Sequence, residues 1–133
     1  MLATLYALVL FMLIIIMPPA VAEEKEQTSI AGTWLGTAQS LQTSKNYAFT
    51  LILEQDGNKV RGVRHSDRFP DQPLPIEGKI KNNSFFGDSS DPDGAQVYYN
   101  GLSISRDGRK MEGYGFYSRH GYQVRMYFDL TRQ

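Results

Sequence analysis

Hydrophobic and polar residues alternate with a period of two along most of the chain after Gly32. Such alternation is typical of β-strands with one buried face, and no segment after Ala22 shows the sustained 3.6-residue period of an amphipathic helix. Glycine, asparagine, aspartate and proline interrupt the alternating runs, as expected of turns. The pattern predicts eight strands: Gly32–Gln39, Tyr47–Glu54, Lys59–His65, Leu74–Ile80, Ser84–Asp88, Gln96–Ser105, Arg109–Tyr117 and Tyr122–Thr131.

The connections between these strands are mostly short turns. Asp56-Gly57 and Asp107-Gly108 each separate two alternating runs, which is the strongest short-range signal for a β-hairpin. Two longer polar segments, Ser66–Pro73 and Ser89–Ala95, are predicted to be loops. Because no helix is available to cross between parallel strands, the sheet is predicted to be antiparallel, with its strands in meander order.

An internal repeat indicates how the sheet closes. The segments Leu51–Gly62 and Leu102–Gly113 share the pattern apolar-x-apolar-x-x-Asp-Gly-x-Lys-apolar-x-Gly without gaps. Each copy of the repeat belongs to a unit of about four strands, and two such units give eight strands. An eight-stranded meander can close around side chains or one small ligand. The sequence therefore predicts an all-β fold, an eight-stranded antiparallel up-and-down barrel over residues 31–133. The repeat also places the two Asp-Gly turns at the same end of that barrel.

The N-terminal residues have a different character. No charged residue lies between Leu2 and Ala22, and a proline pair is followed by Ala20-Val21-Ala22, a motif that signal peptidases accept. We expect a signal peptide over residues 1–22, a mature protein that begins at Glu23, and a polar linker over residues 23–30. This predicts an extracytoplasmic protein, periplasmic or secreted, that does not contact the membrane after cleavage. The alternative is a retained N-terminal membrane anchor, since the apolar run is about 20 residues long.

Composition narrows the classes of function. The 14 Lys and Arg residues balance the 14 Asp and Glu residues, so no net field attracts nucleic acid, and no nucleic-acid partner is expected. The absence of cysteine from the sequence excludes disulfides, thiolate metal sites and cysteine nucleophiles. The sequence contains no nucleophile elbow, phosphate-binding glycine loop or HExxH motif. We therefore expect no catalytic residues, no enzyme activity and no cofactor.

Two places in the sequence carry potential metal ligands. His65 and His120 are predicted to lie at the same end of the barrel, but no acidic residue is spaced to complete a site with them. The segment Asp88–Gly94 has the alternating aspartates of a calcium loop. It lacks the aspartate and glutamate required at the first and last ligand positions. We expect a solvated loop with Asx-turns there, and no metal site in the protein.

The first and last predicted strands carry a motif of a known group of barrels. Gly32-Thr33-Trp34 on the first strand, with Arg132 after the last, resembles the lipocalin and avidin group, often called calycins. The resemblance implies that Trp34 packs against Arg132 and closes one end of the barrel, with Gly32 allowing close approach. It also implies a binding role without a particular ligand. The chain lacks the long C-terminal helix and the disulfides of many lipocalins. In the alternative interpretation, Trp34 is a ligand-stacking wall.

Tyrosine and asparagine side chains are the candidates for ligand binding. The repeat aligns Tyr98 with Tyr47 and Asn100 with Phe49, so Tyr98 and Asn100 are predicted to point into the barrel. Polar groups inside an apolar barrel need partners, which a ligand can supply. The alternative is that the aromatic residues only pack across strands. The predicted function is binding of a small apolar or aromatic molecule, with Tyr47, Tyr98, Asn100, Tyr117 and Tyr122 as ligand-binding residues.

A second function remains open from the sequence. The barrel would then be a rigid scaffold whose loops, Ser66–Pro73 and Ser89–Ala95, contact a protein partner as an inhibitor or accessory protein does. The state of the barrel interior distinguishes the two functions, because a filled interior leaves no room for a ligand. The residues predicted to fill it are Phe49, Leu51, Leu53, Ile76, Met111, Met126 and Phe128.

Overall fold

The computed structural model describes residues 28–133, and these residues form eight β-strands. The strands are β1 (Gly32–Ser40), β2 (Asn46–Asp56), β3 (Lys59–Ser66), β4 (Phe69–Lys81), β5 (Ser84–Ser90), β6 (Gln96–Ile104), β7 (Lys110–Arg119) and β8 (Tyr122–Arg132). The predicted signal peptide and the start of the predicted linker lie outside the described residues. No helix in residues 28–133 is both long and apolar enough to cross a membrane.

The eight strands close into one barrel. Each strand pairs antiparallel with the next one in the chain, and β8 returns to pair with β1. In this last pairing Trp34 lies opposite Arg132, and Ser40 lies opposite Met126. The predicted all-β, antiparallel, meander-ordered barrel is therefore confirmed. Closure matters for stability because it leaves no strand edge unpaired.

The meander gives the barrel two different ends. Residues 28–31, the turns after β2, β4 and β6, and the C-terminus lie at one end, which we call the closed end. The turns after β1, β3, β5 and β7 lie at the other, which we call the open end. Asp56-Gly57 and Asp107-Gly108 both lie at the closed end, as the repeat predicted.

The core occupies the barrel interior, where the inward positions of the alternating strands meet. Every residue that the sequence predicted to fill the interior is buried. Others join them, notably Trp34, Phe85 and Leu130, each fully buried. Burial of apolar side chains from all eight strands is the main stabilising contribution in a domain without disulfides.

Two glycines allow neighbouring strands to approach closely. A Cβ atom on Gly62 would lie 1.9 Å from the carbonyl oxygen of Ile52, and one on Gly115 would lie 1.8 Å from the carbonyl oxygen of Tyr98. No side chain fits at either distance. These positions let β3 and β7 bend against their neighbours, as glycine commonly does at barrel corners.

The prediction of a long loop over Ser66–Pro73 is wrong. Only residues 67–68 connect β3 to β4, and β4 already begins at Phe69 within the predicted loop Ser66–Pro73. The register shifts between the pairs Arg64–Leu74 and Ser66–Phe69, so residues 70–73 form a bulge. Pro70 and Pro73 fall within this bulge, where the missing proline N–H groups interrupt no regular ladder. At the second predicted loop, β5 continues to Ser90, so the connection is residues 91–95.

Candidate functional site

The closed end is sealed by Trp34 and the chain that precedes β1. The indole is fully buried, and its Nε1 donates a hydrogen bond to the carbonyl oxygen of Ile30 at 2.9 Å. The Arg132 guanidinium lies over the indole, 5.3 Å from the ring centroid, and donates to the carbonyl oxygens of Ser29 and Ala31. Gly32 adopts φ 128°, and its Cα faces the Arg132 side chain. The contact predicted between Trp34 and Arg132 is present.

Part of the predicted linker belongs to this plug. Ile30 has no exposed surface, and its backbone N–H donates to the side-chain oxygen of Gln55 at 2.7 Å. The Gln55 amide nitrogen in turn donates to the carbonyl oxygens of Thr28 and Gly57. The packed unit therefore begins before Ala31, and no ligand reaches the interior from this end without displacing these residues.

A cavity of about 280 Å³ lies inside the open end. Its floor is aromatic and its walls are largely apolar, whereas its rim carries hydroxyl, amide and guanidinium groups. The lining residues are Ala38, Ser40, Gln42, Thr43, Tyr47, Ala48, Phe49, Arg64, Ser66, Arg68, Asp91, Val97, Tyr99, Tyr117, Tyr122, Val124, Met126 and Phe128. The buried apolar side chains thus leave room for a ligand in the half of the barrel that Trp34 does not occupy.

Three aromatic rings from different strands meet at the cavity floor. The Tyr99 and Phe128 ring centroids are 4.6 Å apart, those of Phe49 and Phe128 are 6.2 Å apart, and those of Phe49 and Tyr99 are 6.4 Å apart. The planes are tilted or perpendicular, which is the favourable arrangement for aromatic side chains. The floor presents flat, polarisable surface to whatever enters the cavity.

The Tyr99 hydroxyl has no hydrogen-bond partner within residues 28–133, although the side chain is almost completely buried. Burial raises the pKa of this hydroxyl well above its usual value, so it stays protonated and able to donate. A buried polar group without a partner costs about 1–3 kcal/mol. A ligand that accepted this hydrogen bond would recover that free energy, which makes Tyr99 a candidate for ligand recognition.

A buried ion pair forms one polar wall of the cavity. Arg64 and Asp91 are 6% and 7% exposed, and Nη2 of Arg64 donates to Oδ1 of Asp91. Nε of Arg64 donates to Oγ of Ser89 at 3.1 Å, and that hydroxyl donates to the carbonyl oxygen of Pro75 at 2.7 Å. The charges therefore satisfy each other inside the barrel, as buried charges must.

The rim holds a second polar network, centred on Arg68. Its Nη1 donates to the Tyr117 hydroxyl at 2.8 Å, and its Nη2 lies 3.5 Å from Oδ2 of Asp93. Arg119 lies 3.5 Å from the same carboxylate oxygen. The backbone N–H of Ala95 and then the two guanidiniums lower the pKa of Asp93. The loop 91–95 is thus tied to the interior through Asp91 and to the rim through Asp93.

The structure brings three of the five predicted ligand-binding residues to the cavity. Tyr47, Tyr117 and Tyr122 all line it, and the Tyr122 hydroxyl donates to the side-chain oxygen of Gln42 at 3.1 Å. Tyr47 and Tyr122 are 43% and 62% exposed, so they stand at the rim. Their role in binding remains a prediction.

The predicted inward orientation of Tyr98 and Asn100 is wrong. Both lie on the outer face of β6, and Tyr99 points inward instead. The reason is a β-bulge at Gly101, which adopts φ 90° where the β5–β6 register shifts. One extra residue reverses the alternation on the N-terminal side of the bulge, so the repeat alignment holds from Leu102 onward and fails before it.

Tyr99, Arg64 and Asp91 line the cavity but were not among the residues predicted to bind a ligand. A signal for Arg64 exists, because the inward alternation of Val60 and Gly62 continues to it along β3. No local signal pairs Arg64 with Asp91, which lies 27 residues away in a loop.

The two places where the sequence carries potential metal ligands are the histidine pair and the segment Asp88–Gly94. His65 and His120 are exposed at the open end, and no group of three potential metal ligands occurs in residues 28–133. In the segment Asp88–Gly94, Asp93 accepts a hydrogen bond from the Ala95 N–H at 3.1 Å, as an Asx-turn requires. The prediction of a wholly solvated loop is wrong for Asp91, because that carboxylate is buried against Arg64.

Comparison with known proteins supports the fold. No family model matches the chain, and no curated protein matches it. Among solved structures, a redesigned beta barrel has a TM-score of 0.64 at 14% identity and covers 78% of this chain and 91% of its own. EF1p2_mFAP2b bound to DFHBI has a TM-score of 0.61 at 14% identity, covering 78% of this chain and 94% of its own.

A third solved structure is a de novo designed fluorescence-activating beta barrel. Its TM-score is 0.54 at 16% identity, and the match covers 77% of this chain and 93% of that one. These identities are too low to carry a function from one protein to another. Membership of the lipocalin and avidin group is not shown. What the comparisons show is the architecture: this chain is a small, closed, eight-stranded antiparallel β-barrel.

Proposed function

We propose that this chain is an exported binding protein that holds a small aromatic molecule in the open end of its barrel. One observation carries the proposal. A cavity of about 280 Å³ has an aromatic floor that includes Tyr99, whose buried hydroxyl has no hydrogen-bond partner in the described residues. An apolar cavity with a few convergent polar groups is the usual form of a small-molecule site.

Export is the second part of the proposal. It is supported by the sequence alone, through the uncharged segment before Ala22 and the cleavage motif that ends there. The proposed location is extracytoplasmic, either periplasmic or secreted. The proposed role is binding and not catalysis, because the sequence contains no recognisable catalytic motif.

The alternative, a scaffold whose loops contact a protein, has weaker support. It depended on two long polar loops, and one of them is mostly strand and bulge. The connections at the open end are residues 41–45, 67–68, 91–95 and 120–121. Such short connections offer little surface for a protein partner, whereas the cavity between them offers an enclosed site.

A cavity-filling variant tests the binding proposal. Ala38 lines the cavity, so Ala38→Leu places three additional carbon atoms inside it, whereas Thr37→Leu adds apolar volume on the outer face of the same strand. We expect neutral 2-naphthamide to bind the wild type and Thr37→Leu in calorimetric titrations, and to bind Ala38→Leu at least about tenfold more weakly. Thermal melting verifies that both variants fold.

Two further measurements complete this test. Native mass spectrometry of the protein purified from its own source should reveal a retained small molecule. Backbone NMR shifts on adding 2-naphthamide should concentrate at open-end residues such as Val97, Tyr117 and Val124, and should be absent around Trp34. Equal binding by Ala38→Leu and wild type, or shifts confined to the outer face, would overturn the proposal.

A further inference from the structure

We propose that the molecule held in the open end is an aromatic anion of about two rings, bound with its negative group beside the rim arginine Arg68. This inference rests on the proposed binding function and narrows its ligand to one chemical class. A carboxylate and a phenolate share the required chemistry. Four features of the cavity support it: its charge, its hydrogen-bond donors, its shape and its size.

The charge around the cavity is positive. Arg64 and Arg68 line it, and Asp91 is the sole acidic residue among the lining residues, all of which lie in the described part of the chain. Asp91 already pairs with Arg64, so the charge that remains among the lining residues belongs to Arg68. A single negative charge on the ligand would balance the lining.

The rim acidic residue cancels only part of this charge. Asp93 lies 3.5 Å from Arg68 and equally far from Arg119, so one carboxylate faces two guanidiniums. The Arg68 and Asp93 side chains are 42% and 25% exposed, which leaves the guanidinium accessible to a ligand from the solvent side. An incoming anion gains a partner here without breaking a buried ion pair.

Three side chains that line the cavity keep a hydrogen-bond donor available. The Tyr99 hydroxyl is protonated and unpartnered. The Tyr117 oxygen accepts from Arg68, so its own O–H remains able to donate. Arg68 has further N–H groups beyond the one that contacts Tyr117. A ligand group that only accepts, as an ionised carboxylate or phenolate does, matches this arrangement.

The shape and size of the cavity select a flat ligand. Phe49, Tyr99 and Phe128 form its floor, and Tyr117 stands at the rim with Arg68 5.9 Å from its ring centroid. The volume is about 280 Å³. An apolar cavity of about 150 Å³ holds one benzene molecule, so this one has room for about two fused rings.

Three matched probes test the ligand class by calorimetry. 2-Naphthoate, neutral 2-naphthamide and cationic 2-naphthylmethylammonium share the same ring system and differ in charge. We expect 2-naphthoate to bind about tenfold more tightly than 2-naphthamide, because a hydrogen bond to a charged group is stronger than a neutral one. The cation should bind more weakly than either, and the preference for 2-naphthoate should decline as salt is raised. Comparing the affinity of 2-naphthoate with that of 2-naphtholate at high pH shows whether the site prefers a carboxylate or a phenolate.

A pair of charge-matched variants locates the anion. Arg68→Gln should weaken 2-naphthoate about tenfold and leave 2-naphthamide unchanged. Arg125→Gln removes the same charge from the outer face, where Arg125 lies 4.8 Å from the Tyr114 ring centroid, and should change neither affinity.

The outcomes separate this inference from the proposed function. If 2-naphthamide binds in the cavity as tightly as 2-naphthoate, or if Arg68→Gln weakens both probes equally, the anion inference is wrong and the binding function stands. If no probe binds the wild type, both are wrong. A loss of 2-naphthoate binding that is equal in Arg68→Gln and Arg125→Gln would show long-range charge alone and would also overturn the inference.

Discussion

At the scale of single residues, the two ends of the barrel use arginine in opposite ways. Arg132 stacks on Trp34 and donates to backbone carbonyl oxygens, so it closes a seam between the first and last strands. Arg64 lies inside the barrel with Asp91 and Ser89, where its charge is satisfied but desolvated. The first arrangement stabilises the fold, whereas the second maintains a polar wall beside an apolar cavity.

The packing of Trp34 at the closed end predicts that its replacement strongly destabilises the protein. Trp34→Ala should lower the free energy of unfolding by about 3–5 kcal/mol, because a fully buried indole leaves a cavity that the barrel cannot fill. Arg132→Lys should cost less, since lysine keeps the charge and loses the flat contact. Chemical denaturation measures both. An unchanged midpoint for Trp34→Ala, with altered ligand retention, would make Trp34 a binding residue instead of a plug.

The buried ion pair predicts non-additive stability. Arg64→Met and Asp91→Leu should each cost about 3–5 kcal/mol, because each leaves the other charge buried without a partner. The double variant should cost much less than the sum of the two. A double-mutant cycle by urea denaturation measures this coupling. Additive costs would mean that the two charges reach solvent and do not depend on each other.

At the scale of strands, bends and bulges decide where side chains point. The bulge at Gly101 turns Tyr99 inward, and the bulge over residues 70–73 accommodates two prolines in β4. Gly62 and Gly115 allow β3 and β7 to bend closely against their neighbours. The ligand-facing surface therefore depends on a few backbone irregularities as much as on the residues that line it.

Close approach at Gly115 predicts that even a methyl group is destabilising there. Gly115→Ala places Cβ 1.8 Å from the Tyr98 carbonyl oxygen, so the backbone must move. We expect a loss of about 1–3 kcal/mol, the usual cost of forcing extra volume into a packed site. Ser118→Ala, on the same strand, is the control and should change stability little. Thermal melting compares the two variants, and equal melting temperatures would contradict the close approach.

At the scale of the whole molecule, the plug at the closed end and the proposed ligand site lie at opposite ends of the barrel. Residues 28–31, the C-terminus and both Asp-Gly hairpins lie at the closed end, whereas the cavity and the rim arginines lie at the open end. Ligand affinity should therefore change with substitutions at the open end and not with substitutions at the closed end. This division follows from an even number of strands in meander order, which brings the start of β1 and the end of β8 to the same end.

The export proposal predicts the N-terminus of the mature protein. Cleavage after Ala22 would leave Glu23 as the first residue, because small residues occupy the two positions that signal peptidase reads. N-terminal sequencing or intact-mass analysis of protein secreted by its native host measures this directly. Recovery of the chain with Met1 or Leu2 intact would indicate a membrane anchor.

Strand number, antiparallel order, the Asp-Gly turns and the plug formed by Trp34 and Arg132 were all predictable from the sequence. These features depend on local periodicity and on turn chemistry, which neighbouring residues determine. The first and last strands also had to pair once the sheet closed, so the contact of Trp34 with Arg132 followed from the order of the strands.

Only the tertiary structure placed Tyr99, Arg64 and Asp91 at the cavity. Tyr99 and Tyr98 are adjacent and chemically alike in the sequence, and a one-residue bulge determines which of them is buried. Arg64 and Asp91 meet because β3 and the loop after β5 come together inside the open end. Alternation along a strand is a local property of the sequence. A bulge, in contrast, depends on packing between strands, and a buried charge is stable only where a partner from elsewhere in the chain lies beside it.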